Sequence, residues 1–143
     1  MISIEEEFEV AKSPSEAFAL LDDLAKTPEW NTRCVEIAQS SPGPRAVGSK
    51  LRYKYRDPGR VGEMEGTVTA YEKDRALTMS FVDKMLDIVV GFSLAPTSAG
   101  TRIRHSIAIT PKSFLAKLMT PVIRGATRRQ TTESVARIKR LLS

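Results

Sequence analysis

Hydrophobic and polar residues alternate through residues 2–11, which is the pattern of a half-buried β-strand. The apolar face of this strand consists of Ile2, Ile4, Phe8 and Val10. Glu6 shares the parity of the apolar set and is the exception on that face. Its carboxylate is predicted either to reach water near a strand end or to point into a polar part of the interior.

A short helical region is predicted directly after this strand. Ser13-Pro14-Ser15-Glu16 has the form of a capping box with Pro at the first helical position, and apolar residues follow at helical spacing. We expect a helix from Pro14 to about Leu24. Thr27-Pro28-Glu29-Trp30 repeats the pattern of a cap followed by Pro, so a second short helical turn is expected there.

Residues 33–110 predict six strands joined mainly by short turns. The strands are expected at 33–39, 49–56, 61–72, 77–81, 86–95 and 101–110. Asp57-Pro58-Gly59 supplies one of the turns. Gly62 and Gly66 lie inside a predicted strand and are expected to mark bulges or bends of a curved sheet. Glu63 and Glu65 share one parity of that strand and are expected on the exposed surface.

The last thirty residues predict one long helix from Pro111 to Ser143, whose internal breaker, Pro121, follows a possible N-cap, Thr120. One stripe of this helix is rich in small and hydroxyl-bearing side chains. Its members are Thr120, Ile123, Thr127, Thr131, Ser134, Ile138 and Leu141. A helix that only fills a core would carry larger side chains here, so the stripe predicts a cavity beneath the helix.

A second stripe of the same helix is apolar at its start and charged later. It runs through Leu115, Met119, Val122, Ala126, Arg129, Glu133, Arg137 and Arg140. The early part is expected to be covered by loops near the cavity mouth or by another chain. The late part is expected to face solvent, with Arg129 and Arg137 each four residues from Glu133.

The order of elements predicts an α+β fold with one domain over residues 1–143. We expect a curved, mainly antiparallel sheet of about seven strands, wrapped around a long C-terminal helix, with two short helices after the first strand. A sheet of this size twists and curls, so one helix packed across its concave side can bury the inward residues of every strand.

Composition narrows the classes of function. The chain has 143 residues, is 41% hydrophobic and contains one Cys and one His. A site built from Cys and His ligands is therefore not expected. No apolar run approaches the roughly 20 residues of a membrane span, and the opening residues lack the features of a signal peptide, so we expect a cytoplasmic protein.

The net charge of +5 is concentrated in the last helix. Residues 111–143 carry eight Lys or Arg and one Glu, a net charge of +7, whereas residues 1–110 have a net charge of −2. A solvated helix face is the favoured interpretation, because no reading element for nucleic acid accompanies the charge. A weak contact with an anionic surface stays open, no specific nucleic acid is expected, and the sequence does not indicate an oligomeric state.

Several short motifs together resemble the START-like, helix-grip superfamily of the polyketide cyclase/dehydrase and lipid-transport type. In order, between the opening strand and the terminal helix, they are Ser13-Pro14-Ser15-Glu16-Ala17-Phe18, Pro28-Glu29-Trp30, Val47-Gly48-Ser49 and Thr67-Val68-Thr69-Ala70-Tyr71-Glu72. The resemblance covers nearly the whole chain. It implies a seven-stranded sheet around a deep apolar ligand cavity. It does not extend to the iron-dependent oxygenase branch, which uses two His and a carboxylate, because this chain has only His105.

His105 is the candidate catalytic residue, since its parity places it among Ile103, Ile107 and Ile109 and an imidazole can transfer a proton near neutral pH. A packed histidine bonded to a neighbouring hydroxyl is the alternative. Tyr53 and Tyr55 are candidates to orient a ligand or to form aromatic core.

The residues expected to line a ligand cavity are those of the predicted inner faces. They are Trp30, Tyr53, Tyr55, Met79, Phe81, Ile88, Val90, Phe92, Ile103, His105, Ile123, Thr127 and Thr131.

Three functions are compatible with these features. The favoured hypothesis is binding or transport of a small hydrophobic ligand, such as a lipid, isoprenoid or polyketide-like aromatic, without a metal or cofactor. The second is a cyclase or dehydratase that uses His105 as general acid/base. The third is an interaction module that uses the basic helix.

Overall fold

Seven antiparallel strands form one sheet in the computed structural model, which describes residues 1–57 and 59–143. The strands are β1 (Ile2–Val10), β2 (Cys34–Gln39), β3 (Lys50–Asp57), β4 (Arg60–Glu72), β5 (Ala76–Val82), β6 (Leu86–Thr97) and β7 (Gly100–Pro111). Their order across the sheet is β1-β7-β6-β5-β4-β3-β2. This confirms the predicted α+β fold. Pro58 of the predicted Asp57-Pro58-Gly59 turn lies outside the described residues.

Short helices follow β1, and a long helix ends the chain. They are α1 (Pro14–Asp22), a 3₁₀ helix (Leu24–Lys26), α2 (Thr27–Trp30), α3 (Phe114–Leu118) and α4 (Thr120–Leu141). The capping box at the start of α1 is formed, because Glu16 N donates to Ser13 Oγ at 3.2 Å and Ser13 N donates to Glu16 Oε1 at 3.5 Å. Helix α1 ends before Leu24, since Asp23 leaves helical geometry and caps the 3₁₀ helix with its side chain.

The predicted continuous helix over 111–143 is wrong at its start. Pro111 is the last residue of β7, and Ser113 caps the separate helix α3 by accepting a bond from Ala116 N at 3.0 Å. Met119 separates the two helices. Pro121 lies in the first turn of α4 and has no N–H to donate a helical hydrogen bond, so α3 does not continue through it. Thr120 does not cap α4 with its side chain.

The inner face of the sheet is the face that carries α4. Val135 and Ile138 of α4 join Phe8 and Leu21 in the main apolar core. The helix packs mainly against β1 at the edge of the sheet and against α2. Its last turn corrects one prediction, because Leu141 is 40% exposed whereas Leu142, just beyond the helix end, is buried.

Two strand glycines make room for aromatic rings. A Cβ at Gly62 would lie 2.4 Å from the Tyr55 ring, and a Cβ at Gly66 would lie 2.5 Å from the Phe81 ring. The β3–β4 pairing is continuous at both positions, and the register shift of β4 falls later, between Val68 and Ala70. The expected bulges at Gly62 and Gly66 are therefore wrong, and these positions serve close ring packing on the inner face.

The outer face of the sheet is charged and solvated. Arg104 bridges Glu5 at 3.3 Å and Glu7 at 3.1 Å across the β1–β7 pair. Arg52 bridges Glu63 at 2.9 Å, and Glu65 is also exposed, so the prediction that both carboxylates lie on the surface is confirmed. These exposed pairs contribute little to stability.

Candidate functional site

An aromatic cluster occupies the centre of the inner face. The Phe92 ring stacks on the His105 imidazole with centroids 4.3 Å apart and planes 6° from parallel. Trp30 meets the Phe92 ring edge-on at 5.5 Å and lies 6.5 Å from His105. Helix α2 supplies Trp30, while cross-strand pairing of β6 and β7 places Phe92 opposite His105. The three predicted site residues are thus brought together, but as packed core.

His105 is enclosed and neutral. It is 1% exposed, and its Nδ1 lies 3.2 Å from the carbonyl oxygen of Gly91, so that nitrogen donates. Burial lowers the pKa of His105 to about 4, against a smaller opposite effect of the Gly91 bond. The hydrogen-bond partner is a backbone carbonyl and not the hydroxyl that the sequence suggested. A neutral imidazole without solvent access is poorly suited to supply protons near pH 7.

A second aromatic group lies on the inner face towards β3. Tyr53 packs against Phe81 at 5.3 Å and against Tyr55 at 5.8 Å between ring centroids. Tyr55 also lies under the guanidinium of Arg33 at 5.4 Å. Burial is the main cause of a raised pKa for both Tyr53 and Tyr55. Both phenols are therefore neutral and can donate a hydrogen bond.

The inner face is incompletely covered between these two groups and the start of α4. The side chains of Tyr53, Ile88 and Val90 point inwards from β3 and β6 but are only partly buried. Ile123, in the first turns of α4, is also partly buried. Like Ile88, it packs against a buried cluster of isoleucines, which are Ile2, Ile4, Ile107 and Ile109. We call Tyr53, Ile88, Val90 and Ile123 the open inner face. It arises because α4 covers the β1 edge and leaves the inward side chains of β3 and β6 partly uncovered.

The remaining predicted lining residues are buried in the core. They are Trp30, Tyr55, Met79, Phe81, Phe92, Ile103, His105, Thr127 and Thr131. The small-residue stripe does not show the expected cavity beneath it among the described residues: Thr131 is fully buried and Ser134 is 3% exposed. Small side chains at these positions let the helix approach the sheet closely.

The two threonine hydroxyls are satisfied within the helix itself. Thr127 Oγ1 donates to the carbonyl oxygen of Ile123 at 2.7 Å, and Thr131 Oγ1 donates to that of Thr127 at 2.8 Å. The hydroxyls are thus turned towards the backbone of α4, and this face of the helix presents mainly methyl groups.

Two buried polar atoms on the inner side have no hydrogen-bond partner among the described residues. They are Trp30 Nε1 and Glu6 Oε2. The sequence identified both residues, Trp30 as a predicted lining residue and Glu6 by its position on the apolar face of its strand. It missed the nearby link in which Gln130 Nε2 donates to Asn31 Oδ1 at 2.9 Å, because polar residues 99 positions apart carry no pairing signal. This link fastens the middle of α4 to the end of α2.

The best-defined depressions of the described surface lie on the outer face. The larger has a volume of about 570 Å³ and is open to solvent. Its walls include Arg52, Glu65, Thr67 and Ser80, which are polar outward residues of β3, β4 and β5. An internal cavity between sheet and helix is not shown.

No group of three His, Cys, Asp or Glu side chains in residues 1–57 and 59–143 is arranged to hold a metal ion. None of the described helices combines the length and the apolar character needed to cross a membrane.

Comparison with known proteins places the chain by sequence. It matches the sequence profile of the family described as polyketide cyclase/dehydrase and lipid transport over residues 1–143. No curated protein gives a significant sequence match.

Solved structures show the same fold at low sequence identity. A protein of unknown function from Staphylococcus aureus has a TM-score of 0.76 at 15% identity, with 99% of this chain and 93% of that chain covered. A START superfamily protein from Mycobacterium smegmatis has a TM-score of 0.75 at 16% identity, covering 97% and 98%.

A third similar structure is the di-domain ARO/CYC StfQ from the steffimycin biosynthetic pathway. Its TM-score is 0.74 at 14% identity, and the match covers 99% of this chain but 50% of that chain. At these identities the likeness concerns the fold alone.

Proposed function

Because the chain belongs to the polyketide cyclase/dehydrase and lipid transport family, we propose that it binds a small hydrophobic molecule on the open inner face. The molecule would be a lipid, an isoprenoid or a polyketide-like aromatic. The observation that carries this proposal is the partial exposure of Tyr53, Ile88 and Val90, which are large inward-facing side chains that the fold would otherwise bury. An apolar ligand that covers them removes their hydrocarbon surface from water. Each Å² of apolar surface buried in this way stabilises the complex by about 25 cal/mol.

Two donors support binding of a molecule with a polar end. Trp30 Nε1 is buried without a partner among the described residues, and such a group costs roughly 1–3 kcal/mol until it is paired. A ligand oxygen that reached Trp30 would remove this cost. The neutral hydroxyl of Tyr53, a partly buried residue, is a second donor. An apolar wall with a few polar anchors is the usual composition of a small-molecule site.

The ligand would enter between β6 and the start of α4. Ile88 and Ile123 both pack against the buried cluster of Ile2, Ile4, Ile107 and Ile109, and both are partly exposed. The aromatic cluster of Trp30, Phe92 and His105 forms the inner end of this route.

Binding is favoured over catalysis by the environment of His105. The cyclase or dehydratase alternative requires this imidazole to exchange protons with a substrate, yet it is 1% exposed and stacked on Phe92. In the proposal His105 is a neutral wall residue. StfQ, a structural relative described as an ARO/CYC, shares the fold at 14% identity, which carries no assignment of activity to this chain.

Native mass spectrometry of the purified protein tests the proposal. We expect a population whose mass exceeds that of the chain by one small apolar molecule, or a shift on addition of a lipid and aromatic panel. Trp30 emission should change on the same additions, because its indole lies at the inner end of the site. A protein that binds no member of the panel would contradict the proposal.

A further inference from the structure

An exposed apolar ridge runs along α3 and the first turn of α4. We define the apolar ridge as five side chains with large exposed fractions. They are Phe114 at 78%, Leu115 at 59%, Leu118 at 64%, Met119 at 42% and Val122 at 60%. Scattered apolar residues on a surface are ordinary, but five within nine positions form a contiguous patch.

The expectation that loops of the chain cover this segment is wrong for the described residues. The turn between β5 and β6 comes close, since Lys112 N donates to the carbonyl oxygen of Met85 at 2.8 Å. Met85 is itself 39% exposed, so this turn extends the ridge and does not bury it. The apolar surface here therefore faces outwards on two neighbouring elements.

Cations without acidic neighbours in sequence lie within and on both sides of the ridge segment. No Asp or Glu occurs between Asp87 and Glu133. Five exposed Lys or Arg side chains lie in that interval after β7, and they are Lys112, Lys117, Arg124, Arg128 and Arg129. Within residues 1–57 and 59–143, only Lys112 of these five forms a salt bridge, with Asp87 at 2.9 Å.

We propose that the apolar ridge docks on the surface of an anionic lipid bilayer. Its apolar side chains would enter the boundary between head groups and acyl chains, while Lys117, Arg124 and Arg128 meet lipid phosphates. Amphipathic segments that combine hydrophobic and cationic side chains bind membranes in this way, lying on the bilayer without crossing it. Helix α3, with five residues, is far too short to span one.

Charge favours a lipid surface over a second copy of the chain. Two copies that met through their ridges would bring two sets of cations together with no carboxylate from residues 88–132 to offset them. An anionic bilayer supplies the opposite charge and an apolar interior at once. The proposal stands independently of the proposed ligand, although Ile123 of the open inner face follows directly after the ridge.

Vesicle flotation with the full chain tests the proposal. We expect binding to phosphatidylcholine vesicles that contain about 30% phosphatidylserine, and much weaker binding to phosphatidylcholine alone. Phe114→Ser combined with Leu118→Ser should weaken binding to the anionic vesicles by at least about tenfold. Both side chains are largely exposed, so the thermal unfolding midpoint should stay close to that of the unchanged protein.

A matched pair of charge reversals separates the ridge from total charge. One double variant, Lys117→Glu with Arg124→Glu, reverses two charges close to the ridge in sequence. The control double variant, Lys139→Glu with Arg140→Glu, makes the same change of net charge at the far end of α4. The first pair should weaken binding at least about fivefold more than the second.

Three outcomes would overturn the proposal. One is equal weakening by the two charge-reversal pairs, which would indicate attraction to total charge. Another is a dimer in sedimentation analysis that Phe114→Ser dissolves while vesicle binding is absent. The third is binding to duplex DNA that exceeds vesicle binding and survives loss of Phe114 and Leu118.

Discussion

The Phe92 ring lies parallel to the His105 imidazole at 4.3 Å, inside the core where the only histidine of the chain is buried. A protonated imidazole would lose its hydration at this buried position. Burial accordingly lowers the pKa of His105 from 6.5 to about 4. The stability of the fold must then depend on pH in a defined window.

The free energy of unfolding should fall as the pH is lowered from about 6.5 to about 4, because in that range the unfolded chain binds a proton at His105 and the folded chain does not. Between pH 7 and 4.5 the loss attributable to His105 is on the order of 2 kcal/mol. Below the folded pKa no further loss comes from this group. Urea denaturation at about pH 7 and about pH 4.5 measures this loss of unfolding free energy.

His105→Gln provides the control for that measurement. Its amide can still donate to the carbonyl oxygen of Gly91 but does not titrate, so the difference between the two pH values should shrink by about 2 kcal/mol. An unchanged pH dependence in this variant would show that other groups account for the effect.

Gly66→Ala should destabilise the fold by about 1–3 kcal/mol, because the new methyl group would lie 2.5 Å from the Phe81 ring and force it to move. Gly125→Ala in α4 is the matched substitution, since its methyl group meets nothing closer than 3.9 Å. It should stabilise the protein by about 0.5–1 kcal/mol through helix propensity. Thermal denaturation distinguishes the two, and equal effects would show that the ring of Phe81 yields freely.

The Cys34 thiol should react slowly in the folded protein. Burial, and then the nearby Glu36 carboxylate, raises the pKa of Cys34 to about 12. Reaction with Ellman's reagent near pH 8 should be slower than in the urea-unfolded chain by about a hundredfold or more, because little thiolate is present. Fast labelling of the native protein would instead mean that β2, an edge strand, opens readily.

Much of the fold was predictable from alternation and capping signals. The parity of Leu51 and Tyr55 identified the inner face of β3, and the Ser13 capping box located α1, because both signals are local. The separation of α3 from α4 was missed because Ser113 and Met119 do not break a helical pattern by composition. Helix α3 begins at Phe114 because strand β7 continues as far as Pro111.

The side chains that point to the inner face were predictable from the sequence, but their exposure was not. Parity placed Val90 and Phe92 on the same face, yet Val90 is partly exposed and Phe92 is buried. The difference depends on where α4 crosses the sheet, which is a tertiary property. The cavity predicted beneath the small-residue stripe depends on the same tertiary property and is not shown among the described residues, where Thr131 and Ser134 are buried.

Binding of a dansyl-labelled fatty acid to variants of two adjacent β6 residues tests the central claim most directly. Val90 belongs to the open inner face, whereas Val89 lies on the outer face and is 39% exposed. Val90→Trp should weaken binding at least about tenfold by filling the site, and Val89→Trp should leave it within about twofold. Equal affinity of both variants and the unchanged protein, with unfolding midpoints preserved, would contradict a ligand site on this face.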